Sequence, residues 1–179
     1  ELFNKKFANG KSFADCFPNH EKGIRQNYPY FDSDSGSIVT LEGAINKCLK
    51  DNGEKPYKWK KGNITYVSAY LANKSRGNKI NIKVPNDPKA IEQYNRGKRH
   101  FYGKRGQLNM SCAACHYHYS GATIRADILS PALGHPTGFP VFRHQKWGEL
   151  GTLHRRLGGC NANIRAKAFP AQSDEYKAL

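Results

Sequence analysis

The pentapeptide Cys112-Ala113-Ala114-Cys115-His116 constrains this chain more than any other stretch of it. Two thiols three residues apart on one helical turn can each form a thioether to a haem vinyl group. The residue that follows then sets an imidazole under the iron as proximal ligand. Cys-x-x-Cys-His is therefore the attachment pattern of a c-type haem, and the chain reads as a cytochrome c. A zinc site would need two further ligands in a comparable cluster, and a redox Cys-x-x-Cys pair would sit in a βαβ context that this sequence does not suggest.

Covalent haem is attached outside the reducing cytoplasm, and the remaining cysteines suit an oxidising compartment, so the chain reads as exported. No charged, apolar leader is present and residue 1 is Glu, as expected of a form whose signal peptide has gone. No apolar run approaches the ~20 residues of a transmembrane helix, so no membrane span is expected. The 29 Lys and Arg against 14 Asp and Glu give a formal charge of +15. These basic residues are spread along the whole chain and no recognised nucleic-acid module accompanies them. The charge is therefore read as a field for anionic substrates or acidic redox partners, with no nucleic acid.

The polar run Ser75-Arg76-Gly77-Asn78-Lys79 and the proline-flanked Val84-Pro85-Asn86-Asp87-Pro88 read as a linker. They divide the chain into residues 1–84 and 85–179. Asp87 can cap a helix whose first residue is Pro88, with Ile91, Tyr94 and Phe101 along one face. A second helix is expected from about Gln145 to Leu157, with Leu150, Leu153 and Leu157 on one stripe and Gly158-Gly159 ending it. The fold class expected is mainly α: two cytochrome c-like domains, the first without haem and the second binding one covalent haem c.

A sixth iron ligand is open among several residues. The single methionine, Met110, stands two residues before Cys112 and is tethered too close to the proximal side to cross the haem plane. His118 fails on the same ground. His135, in Gly134-His135-Pro136-Thr137-Gly138, could reach, although its loop is equally well explained as turn structure. His144 and His154 are more often surface residues in a sequence this polar, and Cys160 completes the candidates. Of the five cysteines the haem takes two, and Cys16 with Cys48 forms the plausible disulfide. Cys160 is then odd, a reactive thiol unless it is buried, ligated or used.

The two halves look weakly related. Leu41-x-x-x-Ile45-x-x-Cys48 repeats the spacing of Leu153-x-x-x-Leu157-x-x-Cys160, and Phe13-Ala14-Asp15-Cys16-Phe17 resembles a decayed haem motif. An ancestral haem in the first half would have left Cys16 free to bond Cys48. Asn63-Ile64-Thr65 matches a glycosylation sequon, which a bacterial periplasmic origin would leave idle.

Several ordered blocks carry a family resemblance. They are Arg105-Gly106-Gln107-Leu108-Asn109-Met110-Ser111 leading into the haem motif, then His135-Pro136-Thr137-Gly138-Phe139-Pro140, then Leu150-Gly151-Thr152-Leu153-His154-Arg155-Arg156-Leu157, and Cys160 with Arg165-Ala166. Together they resemble the SoxA subunit of the SoxAX cytochromes, and the Cys16 and Cys48 pair resembles the members that keep a single haem. The first half lacks an intact haem motif, and the chain stops at Leu179, where a further helix would be expected.

The resemblance implies a periplasmic L-cysteine S-thiosulfotransferase, a heterodimer with the small cytochrome SoxX. It would join thiosulfate oxidatively to a cysteine of the carrier protein SoxYZ, with two electrons leaving through a downstream cytochrome c. In that family the cysteine matching Cys160 binds the iron and is often a persulfide, and arginines matching Arg156 and Arg125 line the site. The residues support this chemistry separately. A thiolate on iron is a sulfur nucleophile at a metal centre, and arginine offers a fixed fork of donors for an oxyanion. Arg156 stands four residues before Cys160, so a continuing helix puts both on one side. Arg143, Arg155 and Arg156 could equally be a solvated face or propionate partners. Two other readings stay open: a plain electron-carrier cytochrome, and a thiosulfate dehydrogenase that couples two thiosulfates to tetrathionate.

Overall fold

Apolar spacing closes the first half of the chain on itself. The computed structural model describes residues 1–124 and 127–179. Helix α1 (Phe13–Cys16) opens with a capping box in which the Ser12 N–H donates to Asp15 Oδ2 at 2.7 Å. A hairpin of β1 (Tyr30–Asp32) and β2 (Ser37–Val39) follows, with Tyr30 opposite Val39. Helix α2 (Leu41–Asp51) is capped by Thr40, whose Oγ1 accepts the Gly43 N–H at 3.0 Å. Leu41, Ile45, Cys48 and Leu49 recur at helical spacing and share its inner face. Helix α3 (Asn63–Lys74) answers with Ile64, Val67 and Leu71. These residues join Phe3, Phe13 and Phe17 in one core, and Cys16 is disulfide-bonded to Cys48 inside it. Phe13 and Phe17 stand where a haem motif would have a cysteine and a histidine. They are 1% and 6% exposed, and their rings fill the core.

Residues 75–87 carry no helix or strand. Helix α4 (Pro88–Tyr102) then begins as its sequence predicts, with Asp87 Oδ1 accepting the Lys89 N–H at 2.7 Å and Pro88 at the first helical position. The second half builds no comparable apolar core. Its buried apolar residues among those described are Ala90, Ala113 and Tyr176. After a helical segment at 112–118 come a hairpin of β3 (Thr123–Ile124) and β4 (Asp127–Ile128), then β5 (Val141–Phe142), α5 (His144–Trp147) and β6 (Leu150–Gly151), which pairs with β5. Helices α6 (Leu153–Asn163) and α7 (Asp174–Lys177) end the chain. The architecture is helical, with small two-stranded hairpins between the helices.

The helix expected over 145–157 is two helices. Gly148 adopts a left-handed conformation with φ 63°, which ends α5 after Trp147. Thr152 caps a new helix, its Oγ1 accepting the Arg155 N–H at 3.4 Å. Gly158 and Gly159 lie inside α6 and do not end it. Tertiary contact fixes where this helix starts: the Thr152 hydroxyl donates to Trp59 O at 3.0 Å, and the Thr152 N–H to Lys60 O at 3.2 Å. On α4, a Cβ at Gly97 would meet the Ala178 carbonyl oxygen at 2.0 Å, so only glycine lets the end of the chain lie against this helix.

His154, expected at the surface, is buried on α6 at 7% exposure. Its Nε2 meets the Tyr176 carbonyl at 3.1 Å, and its Nδ1 accepts the Gln172 backbone N–H at 3.1 Å. Both contacts fit the neutral ring, and burial pulls its pKa down to about 4. The unfolded chain therefore takes up a proton near pH 6.5 that the folded chain refuses until about pH 4. Stability is expected to fall as pH drops through that window, by about 3 kcal/mol from this group, and to level off outside it. Denaturant melts at pH 7 and pH 4.5 would read the loss, and His154→Gln should flatten that part of the slope.

Candidate functional site

The haem motif is held at both ends by local chemistry. Before it, residues 105–110 fold back on themselves: the Arg105 N–H donates to Met110 O at 3.0 Å, and the Met110 N–H returns to Arg105 O at 3.1 Å. Gly106, at φ 70°, presses against the end of α6, where a Cβ would come within 2.2 Å of Ile164 O. Ser111 then caps the helical segment, its Oγ accepting the Ala114 N–H at 3.0 Å. Cys112 and Cys115 thus emerge on one turn.

They face a cavity of about 410 Å³ whose walls include His116, Leu129, Phe139, Leu157 and Cys160. Burial raises both Cys112 and Cys115 thiols, and the nearby Cys160 adds to the effect. Arg105 closes the rear of the motif. Its Nη1 reaches His100 Nε2 at 3.2 Å and Cys112 Sγ at 3.8 Å, and its Nη2 donates to the His100 carbonyl. Burial first and Arg105 second pull the pKa of His100 down to about 4, so this ring is a neutral acceptor. Arg105 stands in the block quoted for the family resemblance, but nothing in the sequence assigned it to a cysteine sulfur.

His116 is oriented by its other nitrogen. Nδ1 lies 2.8 Å from Ser130 O, an acceptor, which places the proton on Nδ1 and leaves Nε2 free for a metal. His135 lines the same cavity, but its ring centroid is 4.8 Å from that of His116 and its Nε2 is bonded to Ser130 Oγ at 2.6 Å. Imidazoles facing each other across one iron would have centroids about 6 Å apart, given metal–nitrogen bonds of about 2 Å. His135 therefore stands beside the proximal imidazole, not opposite it. His118 and His144 are exposed and outside the cavity lining, and both nitrogens of His154 are engaged. Of the residues weighed as the sixth ligand, Cys160 remains on the cavity wall, its sulfur in no hydrogen bond among the described residues.

The arginines separate in the same way. Arg143 and Arg155 both stack against the Trp147 ring, with Arg155 also ion-paired to Glu149 at 3.1 Å. Arg156 lines the cavity with Cys160, one helical turn away on α6, and is in no ion pair among the described residues. Arg125 lies outside the described residues.

The residues present fit a c-type haem. Two cysteine sulfurs, a histidine with its Nε2 free, and a third cysteine sulfur share one cavity lined largely by apolar side chains. Asn161 Oδ1 is buried and unpartnered on the same wall, an acceptor still open to a donor or an ordered water.

A helical fold that gathers a Cys-x-x-Cys-His segment onto such a cavity defines a protein of the cytochrome c class. A family model described as SoxA/TsdA, cytochrome c domain, matches residues 1–80, the half without the haem motif. The chain is 60% identical over 178 residues to the L-cysteine S-thiosulfotransferase subunit SoxA of Chlorobaculum tepidum, and 48% identical over 179 residues to that of Allochromatium vinosum. Each comparison covers 99% of this chain, but 61% and 63% of the respective relative. A solved structure described as SoxXA from P. pantotrophus superposes with a TM-score of 0.88 at 34% identity, covering 99% of this chain and 67% of that one. The chain belongs to the SoxA family.

Proposed function

We propose that this chain is the haem-bearing part of a SoxA-type L-cysteine S-thiosulfotransferase, the activity named for its relatives. The observation that carries the reading is the sharing of one cavity by Cys112, Cys115, His116, Arg156 and Cys160. One haem c would be held covalently through Cys112 and Cys115, with His116 as proximal ligand and Cys160 as the sixth. When bound, the haem supplies a one-electron redox centre beside the sulfur chemistry. The residues of the chain do the rest. Cys160 presents a sulfur at that centre and is the atom that would carry a persulfide, while Arg156 offers paired N–H donors to the sulfonate oxygens of thiosulfate. The reaction joins the terminal sulfur of thiosulfate to a carrier cysteine sulfur. The thiol proton is released and two electrons pass to a downstream cytochrome c.

The similarity to SoxXA supports a SoxX-type small cytochrome as partner, and a SoxYZ-type carrier protein follows from the named activity. Residues 1–84 would be the haemless domain and 85–179 the catalytic one. A disulfide together with covalent haem suits the periplasm. Among the described residues no helix is long and apolar enough to cross a membrane.

The test is turnover of the protein with its small-cytochrome partner, reduced carrier, thiosulfate and ferric cytochrome c. The expected result is a carrier whose cysteine has gained a sulfonated sulfur by intact mass, with two cytochromes reduced per conjugate. Tetrathionate formed without the carrier would make the protein a thiosulfate dehydrogenase. Electron exchange with neither product would leave a simple carrier.

A further inference from the structure

Arg25 belongs to the half of the chain that has no haem motif, yet its guanidinium ends beside the haem site. Nη2 donates one hydrogen to Pro136 O at 2.6 Å and the other to Phe139 O at 2.7 Å, residues 111 and 114 positions further on. The first carbonyl lies within the short 3-10 turn His135–Gly138 and the second on the residue just after it. The turn bears His135, which is bonded through Nε2 to Ser130 Oγ at 2.6 Å. Ser130 in turn accepts the His116 Nδ1–H at 2.8 Å through its backbone oxygen. A backbone route runs in parallel, from the Ala132 N–H to His116 O at 2.9 Å and from the His135 N–H to Ala132 O at 3.0 Å.

We infer that Arg25 is a positioning residue for the proximal imidazole: it anchors the 135–139 turn to the first half of the chain and so sets the orientation of His116. The inference rests on reading His116 as the iron's proximal ligand. Burying a guanidinium is weak support for stability, and burial indeed lowers the Arg25 pKa while Glu42 works against that shift. What arginine supplies is directed, planar donors at long reach, able to hold two carbonyls in one geometry. Glu42 stands behind it, its Oε1 accepting the Ser68 hydroxyl at 3.1 Å. The hydrogen bond on Nδ1 governs how strongly an imidazole donates to a metal through its other nitrogen, so slack in this turn reaches the iron.

The test compares Arg25→Lys and Arg25→Met with Lys61→Met, which breaks a different link between the halves, the Lys61–Glu149 ion pair at 3.3 Å. Ferric EPR, nitrogen couplings and the midpoint potential are measured on haem-loaded protein. Arg25→Lys keeps the charge and loses the planar donors. It should alter the g-anisotropy and raise the potential, lowering the ferric-to-ferrous ratio at fixed potential by up to about tenfold, or about 59 mV for one electron. Arg25→Met should change the EPR more strongly, and Lys61→Met should leave both readouts where they were. Unchanged EPR and potential in Arg25→Lys overturn the inference, as does an equal change in Lys61→Met, which would mean general loosening. A wild-type ferric spectrum without histidine nitrogen coupling would overturn the proximal assignment as well, separating that failure from this one.

Discussion

Cys160→Ala is expected to abolish conjugation, lowering turnover on the order of a thousandfold or more, while the haem stays attached. The physical case is geometric. Cys160 lies on the wall shared with the haem motif, and α6 runs unbroken from Leu153 to Asn163, so Arg156 and Cys160 are one turn apart on the same side. Alanine removes the sulfur proposed both to carry the persulfide and to bind iron as thiolate, so the Soret and charge-transfer bands should change together with the loss of rate. His135→Ala should keep the thiolate signature, because that ring stands beside His116. Rates read by intact mass of the carrier settle the matter: an alanine protein that still conjugated at the normal rate would remove Cys160 from the mechanism.

The second large effect is structural. Replacing Cys112 and Cys115 together by serine is expected to eliminate haem that survives denaturing electrophoresis, and to cost the second half most of its ordered structure. The two halves are built differently. In the first, Phe3, Phe13, Leu41, Ile45, Ile64, Val67 and Leu71 close a core with the Cys16–Cys48 bond across it. A bond closing a loop of 32 residues is worth about 3 to 4 kcal/mol in chain-entropy terms. In the second, Leu129, Phe139, Leu153 and Leu157 face the cavity and need an apolar body against them. Hydrogen exchange should show protection lost across α4 and α6, by several kcal/mol, with α2 and α3 nearly unchanged. Uniform loss over both halves would mean that the first does not hold itself together.

Signals that act within one or two turns were readable in order. Asp87 before Pro88 marks a helix start because an aspartate oxygen satisfies the first free amides and proline has none to offer. The stretch from Gln145 to Leu157 reads as one helix but forms two, because glycine punctuation depends on backbone conformation, which composition does not reveal. Gly148 takes the left-handed conformation that stops a helix, whereas Gly158 and Gly159 stay helical inside α6. His154 reads as a surface residue but is buried, for a related reason. A polar neighbourhood in sequence does not show that Tyr176 O and the Gln172 N–H wait on either side of the ring. Ser130 left no trace at all, since its contribution to His116 is a backbone oxygen that any residue could present.

By itself, then, the sequence determined which cofactor chemistry is available, because Cys112, Cys115 and His116 sit within one turn and their spacing is their geometry. It narrowed the sixth ligand to three histidines, His135, His144 and His154, and one cysteine, Cys160. What sets them apart is tertiary structure, which puts His135 against His116, engages both nitrogens of His154, and turns Arg155 to Glu149 and Arg156 to the cavity. Those outcomes depend on contacts between segments far apart in the chain, such as Arg25 with Pro136 and Thr152 with Trp59. Local spacing carries no information about which distant carbonyl a side chain will find, so that part of the site exists only once the chain has folded.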